Sequence, residues 1–428
     1  MALAANKVEA TEALIAAYPA PEGEGKWSRD ARARALETLR QSGAPVRRDE
    51  YWKFTNPARL LEPVKSATIM ETDEAPVFDG VDKLLVVFVD GVLRADLSDD
   101  LTMEGVEIET LATAMSKDIH WVGDVYGVLE ANGQKPVPRP FAALNTAVAT
   151  EGLVIRVTGK ATKPIAFRYL RSGLDADVMV HTVIKLEKGA DLTLLENGSG
   201  AARFNSSLEV EIADGAAFHH VRTQGRDHAR LAATHIFARL GKESRFKSFT
   251  LTVNGALTRN EAVLEFTGDD AFATISGASA GDGAYHHDDT VFVTHNALNC
   301  ESRQVFKKVL RNGATGVFQG KILVYAHAQK TDGYQIAQGL MLDEDCTFLA
   351  KPELEIYADD VICSHGSTCG AVDEAAIFYL TSRGVPKAVA QDMLVLAFMD
   401  QAIEEIEDEA LAEEIRTRLG DWMERHRG

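Results

Sequence analysis

The chain has 428 residues, with 45 Lys and Arg against 64 Asp and Glu, giving a net charge of −19. That length supports two or three domains around a sizeable core. The charge argues against DNA or RNA as partners, because phosphate contacts need Lys and Arg in excess. No apolar run is long enough to cross a bilayer, and the first residues lack a signal-peptide apolar core, so the sequence reads as soluble and cytoplasmic.

Residues 1–150 read as an N-terminal helical and mixed domain. Val8–Tyr18 and Ser28–Gln41 carry helical apolar spacing, with Ser28 placed to cap the second helix. The segment DEYWKFT, Asp49–Thr55, reads as an aromatic anchor that packs this region onto the body. LLVVFVDGVL at 84–93 predicts two short strands around an Asp90–Gly91 turn. Residues 134–140 form a Pro-containing linker, and 141–150 a short helix.

From residue 151 short strands alternate with glycine turns. Gly189, Gly215, Gly241 and Gly268 follow one another at intervals of 26, 26 and 27 residues, each between two strand-like runs. Periods in the twenties indicate stacked coils, each burying its apolar face on the next. Two strands and two turns per repeat make one coil of a β-helix, with glycine expected at corners that need positive φ. A sandwich would not require equal spacing. The fold class expected is mainly β: a parallel β-helix over 151–370, preceded by an N-terminal α/β cap and followed by a helical domain over 371–428.

Residues 353–365 alternate as one strand. Leu354, Ile356, Ala358 and Ile362 form its apolar face; Glu353, Glu355, Tyr357, Asp359, Cys363 and His365 form the other. Cys363 and His365 thus share an outward face, where a thiol and an imidazole suit iron. Two ligands are too few for a cluster, so others must come from elsewhere in the chain or from a partner. Of the four cysteines, Cys300, Cys346, Cys363 and Cys369, no two form a CxxC pair, and Cys369 reads as packing.

Four words carry a resemblance: KPELEIYADDV at 351–361, CSHG at 363–366, FYLTSRGV at 378–385 and QKTDGYQ at 329–335. They resemble the SufD branch of the SufB/SufD family of iron–sulfur cluster assembly subunits, strongly over the last 130 or so residues and more loosely through the middle. The resemblance implies a right-handed parallel β-helix and a non-catalytic subunit of a SufBCD scaffold. It also implies pairing with SufB through the end of the β-helix and docking of the SufC ATPase by the C-terminal helices. A homodimer of the isolated chain is a further possibility. His365, with Cys363, is then the candidate ligand for iron or a nascent cluster at the SufB interface, with no tightly bound cofactor in the isolated chain.

Other constellations are weaker. The run YHHDD, Tyr285–Asp289, looks like a metal motif, with His295 or His327 as a distant third ligand; its plainer reading, like that of His219–His220, is packing between coils. No phosphate loop and no nucleophile elbow is present. Val389, Met393, Leu396, Ala397 and Met399 give the last helices an apolar face, and the acidic run from Glu404 to Glu409 reads as a solvated helix face. Two alternatives stay open: a SufB-like cluster scaffold, and a β-helix carbohydrate-active enzyme using Asp288, Asp289, Asp359 and Asp360.

Overall fold

The computed structural model describes residues 3–62, 76–198, 200–225 and 228–426. Its N-terminal part holds α1 (Ala5–Ala16), α2 (Lys26–Ser42) and the single turn α3 (Ala58–Leu61). β1 (Leu84–Val89) and β2 (Val92–Leu93) pair antiparallel across Asp90–Gly91, as the sequence predicts. β3 (Val106–Thr110), α4 (Leu111–Met115), α5 (Val128–Gly133) and α6 (Pro140–Val148) follow.

The chain then winds as a solenoid. Strands alternate between two sheets, β4 (Leu153–Val157), β5 (Ile165–Leu170), β6 (Asp177–Leu186), β7 (Asp191–Gly198), β8 (Arg203–Ile212), β9 (Ala217–Gln224), β10 (Leu231–Leu240) and β11 (Arg245–Val253). They continue as β12 (Leu257–Phe266), β13 (Phe272–Asp282), β14 (His286–His295), β15 (Glu301–Arg311), β16 (Thr315–Val324), β17 (Asp332–Met341), β18 (Thr347–Ile356) and β19 (Ile362–Gly370). One sheet runs β19-β17-β15-β13-β11-β9-β7-β5-β1-β2 and the other β18-β16-β14-β12-β10-β8-β6-β4-β3. From β4 and β5 onward every ladder is parallel and in register.

Alternation explains the two-sided burial. Ile184, Val210, Leu264 and Val293 from one sheet meet Leu194, Phe218, Phe246 and Phe306 from the other inside the coil. Their neighbours in sequence point outward. On the odd-numbered sheet, Val221, Phe249, Leu251, Val305 and Val309 pack against α8 (Lys387–Ile403) and α9 (Glu409–Arg425) through Val395, Met399, Ile403, Ile415 and Leu419. On the other sheet, Val154, Val183 and Phe237 lie under Ala31, Tyr126, Leu129 and Ala142. Each fully buried aliphatic or aromatic side chain contributes about 1.5–3 kcal/mol.

The corner glycines have two causes, not one. Gly189 and Gly215 are left-handed, at φ 70° and 67°. Gly241 and Gly268 are not. There the left-handed residues are Glu243 and Asp270, and the glycines instead admit the preceding coil: a Cβ on Gly241 would lie 3.0 Å from the Ile212 carbonyl oxygen, and one on Gly268 would collide with the Lys242 backbone. The repeat also lengthens. Arg203 pairs with Asp177, but Thr347 with Thr315.

Three local expectations are corrected. Ser28 lies inside α2 rather than capping it, and its hydroxyl donates to the Gly25 and Met115 carbonyls at 2.9 and 3.2 Å. The buried stripe of α8 is Ala390, Val395, Met399, Ala402 and Ile403, leaving Met393 exposed. The acidic run is the connection between α8 and α9, not a helix face: Asp408 caps α9, accepting from the Ala410 and Leu411 amides. α7 (Glu374–Ser382) opens the C-terminal helices and is capped by Asp373, whose side chain accepts from the Ala375 and Ala376 amides. No helix among the described residues is long and apolar enough to cross a membrane.

Candidate functional site

The most metal-like run in the sequence is locked into the body. Within β14, His286 and Asp288 face outward, where both meet the Thr55 hydroxyl, at 2.8 and 2.5 Å. Asp288 is neutralised by Arg259 at 2.5 Å, Arg259 also holds Glu261 at 2.7 Å, and Glu261 reaches Arg139 at 2.9 Å. Burial pushes the Glu261 carboxyl up, but the two arginines outweigh it and hold the group down to about 2. Arg259 stacks over Trp52 and Arg139 over Phe292. The Asp49–Thr55 segment is thus the expected anchor, and it continues to the last coil: Tyr51 bonds Glu353, while Lys351 pairs with Glu50 at 2.7 Å.

His287 and Asp289 point into the coil. His287 bonds the Asn254 carbonyl at 2.7 Å, and burial lowers its pKa to about 3; Asp289 pairs with Lys308. His295 stacks on Phe266 and bonds Ser302 at 2.8 Å, and His327 bonds the Asn296 carbonyl. The proposed third ligands therefore do not converge on His286 or His287. His219 and His220 split likewise: His220 lies inside against Glu196 and Ser248, while His219 faces Glu407. Asp288 and Asp289, neutralised on opposite faces, do not form a carboxylate pair for glycoside chemistry. Asp359 and Asp360 lie on an exposed turn.

The terminal rung is different, and its geometry corrects the one-strand reading of 353–365. β18 ends at Ile356, residues 357–361 turn, and β19 begins at Ile362 on the other sheet. The turn is tied to the preceding coil by Lys330 N–H to the Asp360 carbonyl at 2.6 Å and Ile362 N–H to the Thr331 carbonyl at 2.9 Å. It resets the alternation. Ile362, expected in the core, is 73% exposed. Cys363 and His365, expected on the outward face, carry the interior parity of β19. Cys363 pairs in register with Gly333, where a Cβ would lie 3.2 Å from its sulfur, and packs with Ile322, Leu354 and Ala358. His365 pairs with Gln335, itself fully buried.

Inward-facing residues elsewhere are sealed by the next coil. β18 and β19 are the last strands of their sheets, so the interior opens here and His365 is exposed. Residues two apart on a strand lie about 7 Å apart at Cα with side chains parallel, a spacing that lets a thiol and an imidazole approach one ion. Half-burial pushes the Cys363 thiol up, so metal binding there must displace its proton. Cys369, expected to pack, is exposed; Cys300 and Cys346 are buried.

Sequence reasoning missed two features. The interior ion pairs Glu196–Arg222 and Asp289–Lys308 are signalled only by charged residues at inward parity. Asp343, Asp345 and Cys346, in the turn before β18, bring ligand-type atoms within 4.8 Å of one another, a grouping visible in sequence only as DEDC.

Residues 169–398 match the family described as SUF system FeS cluster assembly, SufBD core domain. The chain is 27% identical over 414 residues to the iron–sulfur cluster assembly protein SufD of Escherichia coli (strain K12), covering 94% of this chain and 95% of that protein. It is 24% identical over 430 residues to SufD of Bacillus subtilis (strain 168), covering 96% and 97%. It is also 24% identical over 444 residues to the chloroplastic protein ABCI7 of Arabidopsis thaliana, covering 96% and 89%.

Proposed function

The chain belongs to the SufBD core family of iron–sulfur cluster assembly, and from that premise we propose that it is a SufD-type, non-catalytic subunit that handles iron at the open end of its solenoid. The observation that carries this reading is the terminal rung: Cys363 and His365 carry the interior parity of the last strand, where no further coil covers them. A partner that continues both sheets would bring the missing ligands. The free edges of β18 and β19 offer unpaired backbone groups for such a continuation, and exposed Ile356, Tyr357 and Ile362 offer apolar area beside them.

On this reading the three stretches divide the work. Residues 1–150 brace the last coil through Tyr51 and Glu50, residues 151–370 present the terminal rung to SufB, and residues 371–428 dock the SufC ATPase. Phe378, Tyr379 and Met393, at 74%, 55% and 48% exposure, are the apolar groups left for that contact. The same edges would let the isolated chain pair with a second copy, and the whole assembly works in the cytoplasm. Iron is cargo shared with SufB rather than a resident cofactor.

The experiment is reconstitution with the SufB and SufC partners, followed by iron analysis and cluster formation on wild type and His365→Ala. The reading expects an assembled complex that carries markedly less iron in the variant. Unchanged iron and cluster yield would remove His365 from the mechanism.

A further inference from the structure

The rung behind His365 holds a polar group without a use. Gln304, Gln335 and His365 occupy one register position on three successive strands of the same sheet, β15, β17 and β19. Gln335 is fully buried, and its Nε2 donates to Gln304 Oε1 at 2.7 Å. Its Oε1, also buried, accepts nothing among the described residues. Such an atom is costly to hide, and native interiors leave few. The facing sheet makes room for this amide: a Cβ on Gly320 would collide with Gln335 Nε2.

We infer that Gln335 is the positioning residue for His365, its amide oxygen accepting one ring N–H so that the other ring nitrogen presents its lone pair to the open end. In-register side chains on neighbouring parallel strands leave the same face from backbones about 4.8 Å apart, so Gln335 and His365 are side-by-side neighbours and a turn of the exposed ring about its side-chain bonds closes the hydrogen bond that the Gln335 oxygen lacks. Which imidazole nitrogen is free to ligate is set by the hydrogen bond that the other one makes, and metal-binding histidines are held by such a partner. Gln335 closes the word QKTDGYQ, so two sequence words that lie apart in the chain meet at one position. This inference deepens the proposed role of His365 and rests on it for its purpose, but the proposed hydrogen bond is testable without metal.

The test uses the full-length chain with 15N-labelled histidine, at a pH where imidazole is neutral. The ring-nitrogen shifts of His365, assigned by comparison with His365→Asn, report its tautomer. Wild type is expected to favour one tautomer by several-fold. Gln335→Met should relax the ratio to that of free imidazole, and Gln335→Glu, which keeps an acceptor, should restore the preference. Gln304→Met removes the other half of the buried amide pair and should lower thermal stability without moving the ratio. A wild-type ratio equal to that of free imidazole would overturn the inference even if Gln335→Met fails to fold. So would an unchanged preference in Gln335→Met. Neither outcome bears on whether His365 carries iron, which the reconstitution decides separately.

Discussion

The middle and the last coil of this solenoid are built from the same parts and differ only in what covers them. In the middle, histidines and carboxylates sit two by two on successive coils, yet each is matched: Asp288 by Arg259, Glu196 by Arg222, Asp289 by Lys308. At the last coil an imidazole of the same interior parity has no coil beyond it. A residue's place in the stack, rather than its type or the density of ligand-like neighbours, decides whether it is structural or available.

The contrast predicts effects that fall in order. Arg259→Leu leaves Asp288 and Glu261 buried without their shared cation; losing one partner of a buried pair costs about 3–5 kcal/mol, read as a lower midpoint in denaturant unfolding. Acid should act next. Burial holds His235, His287 and His295 neutral, at about 4, 3 and 3, below the unfolded value of about 6.5. Between those values the unfolded chain binds more protons, so each costs about 2 kcal/mol of stability by pH 5. His219, His220 and His286 are shifted in the same direction, by burial first. Glu130 opposes them: burial raises it to about 8, so its contribution is lost as pH rises through that value. Thermal melts across pH should therefore peak near pH 6 to 7 and fall steeply on the acid side. A flat profile down to pH 4 would contradict the buried, neutral state of these rings.

Changes at the open end should barely touch the free chain. His365→Ala in the free chain should cost no more than its one hydrogen bond to Gln335, about 1 kcal/mol, read from the thermal melt. A large loss of stability there would mean that the ring is packed, and the contrast between coil and end would fail. Ile362→Arg, on an exposed edge residue, is expected to shift stability by no more than about 0.5 kcal/mol, yet to weaken capture of the SufB partner in pull-down.

Much of this was legible. The glycine period marks the stacked coils, Asp90–Gly91 the hairpin, and the CSHG word the candidate pair. The errors share a cause. Alternation carried through residues 357–361 as one strand puts Ile362 in the core and His365 outside; the turn that changes sheet is marked only by Asp359 and Asp360, which fit the polar side of an alternating strand as well as they fit a turn. Gly241 and Gly268 suggest positive φ in the sequence, whereas the backbone of the preceding coil explains them, and contacts across coils are not visible in a linear pattern. The network from Thr55 through Asp288 to Arg139 joins residues far apart in the chain, which no local signal connects.

The central claim is that iron meets this chain at the terminal rung and not at its histidine-rich middle. Iron content of the complex reconstituted with SufB and SufC, compared between His365→Ala and His287→Gln, tests it directly. The account predicts a marked loss of iron in the first and wild-type iron in the second. Equal iron in both variants, or loss only in His287→Gln, would contradict it.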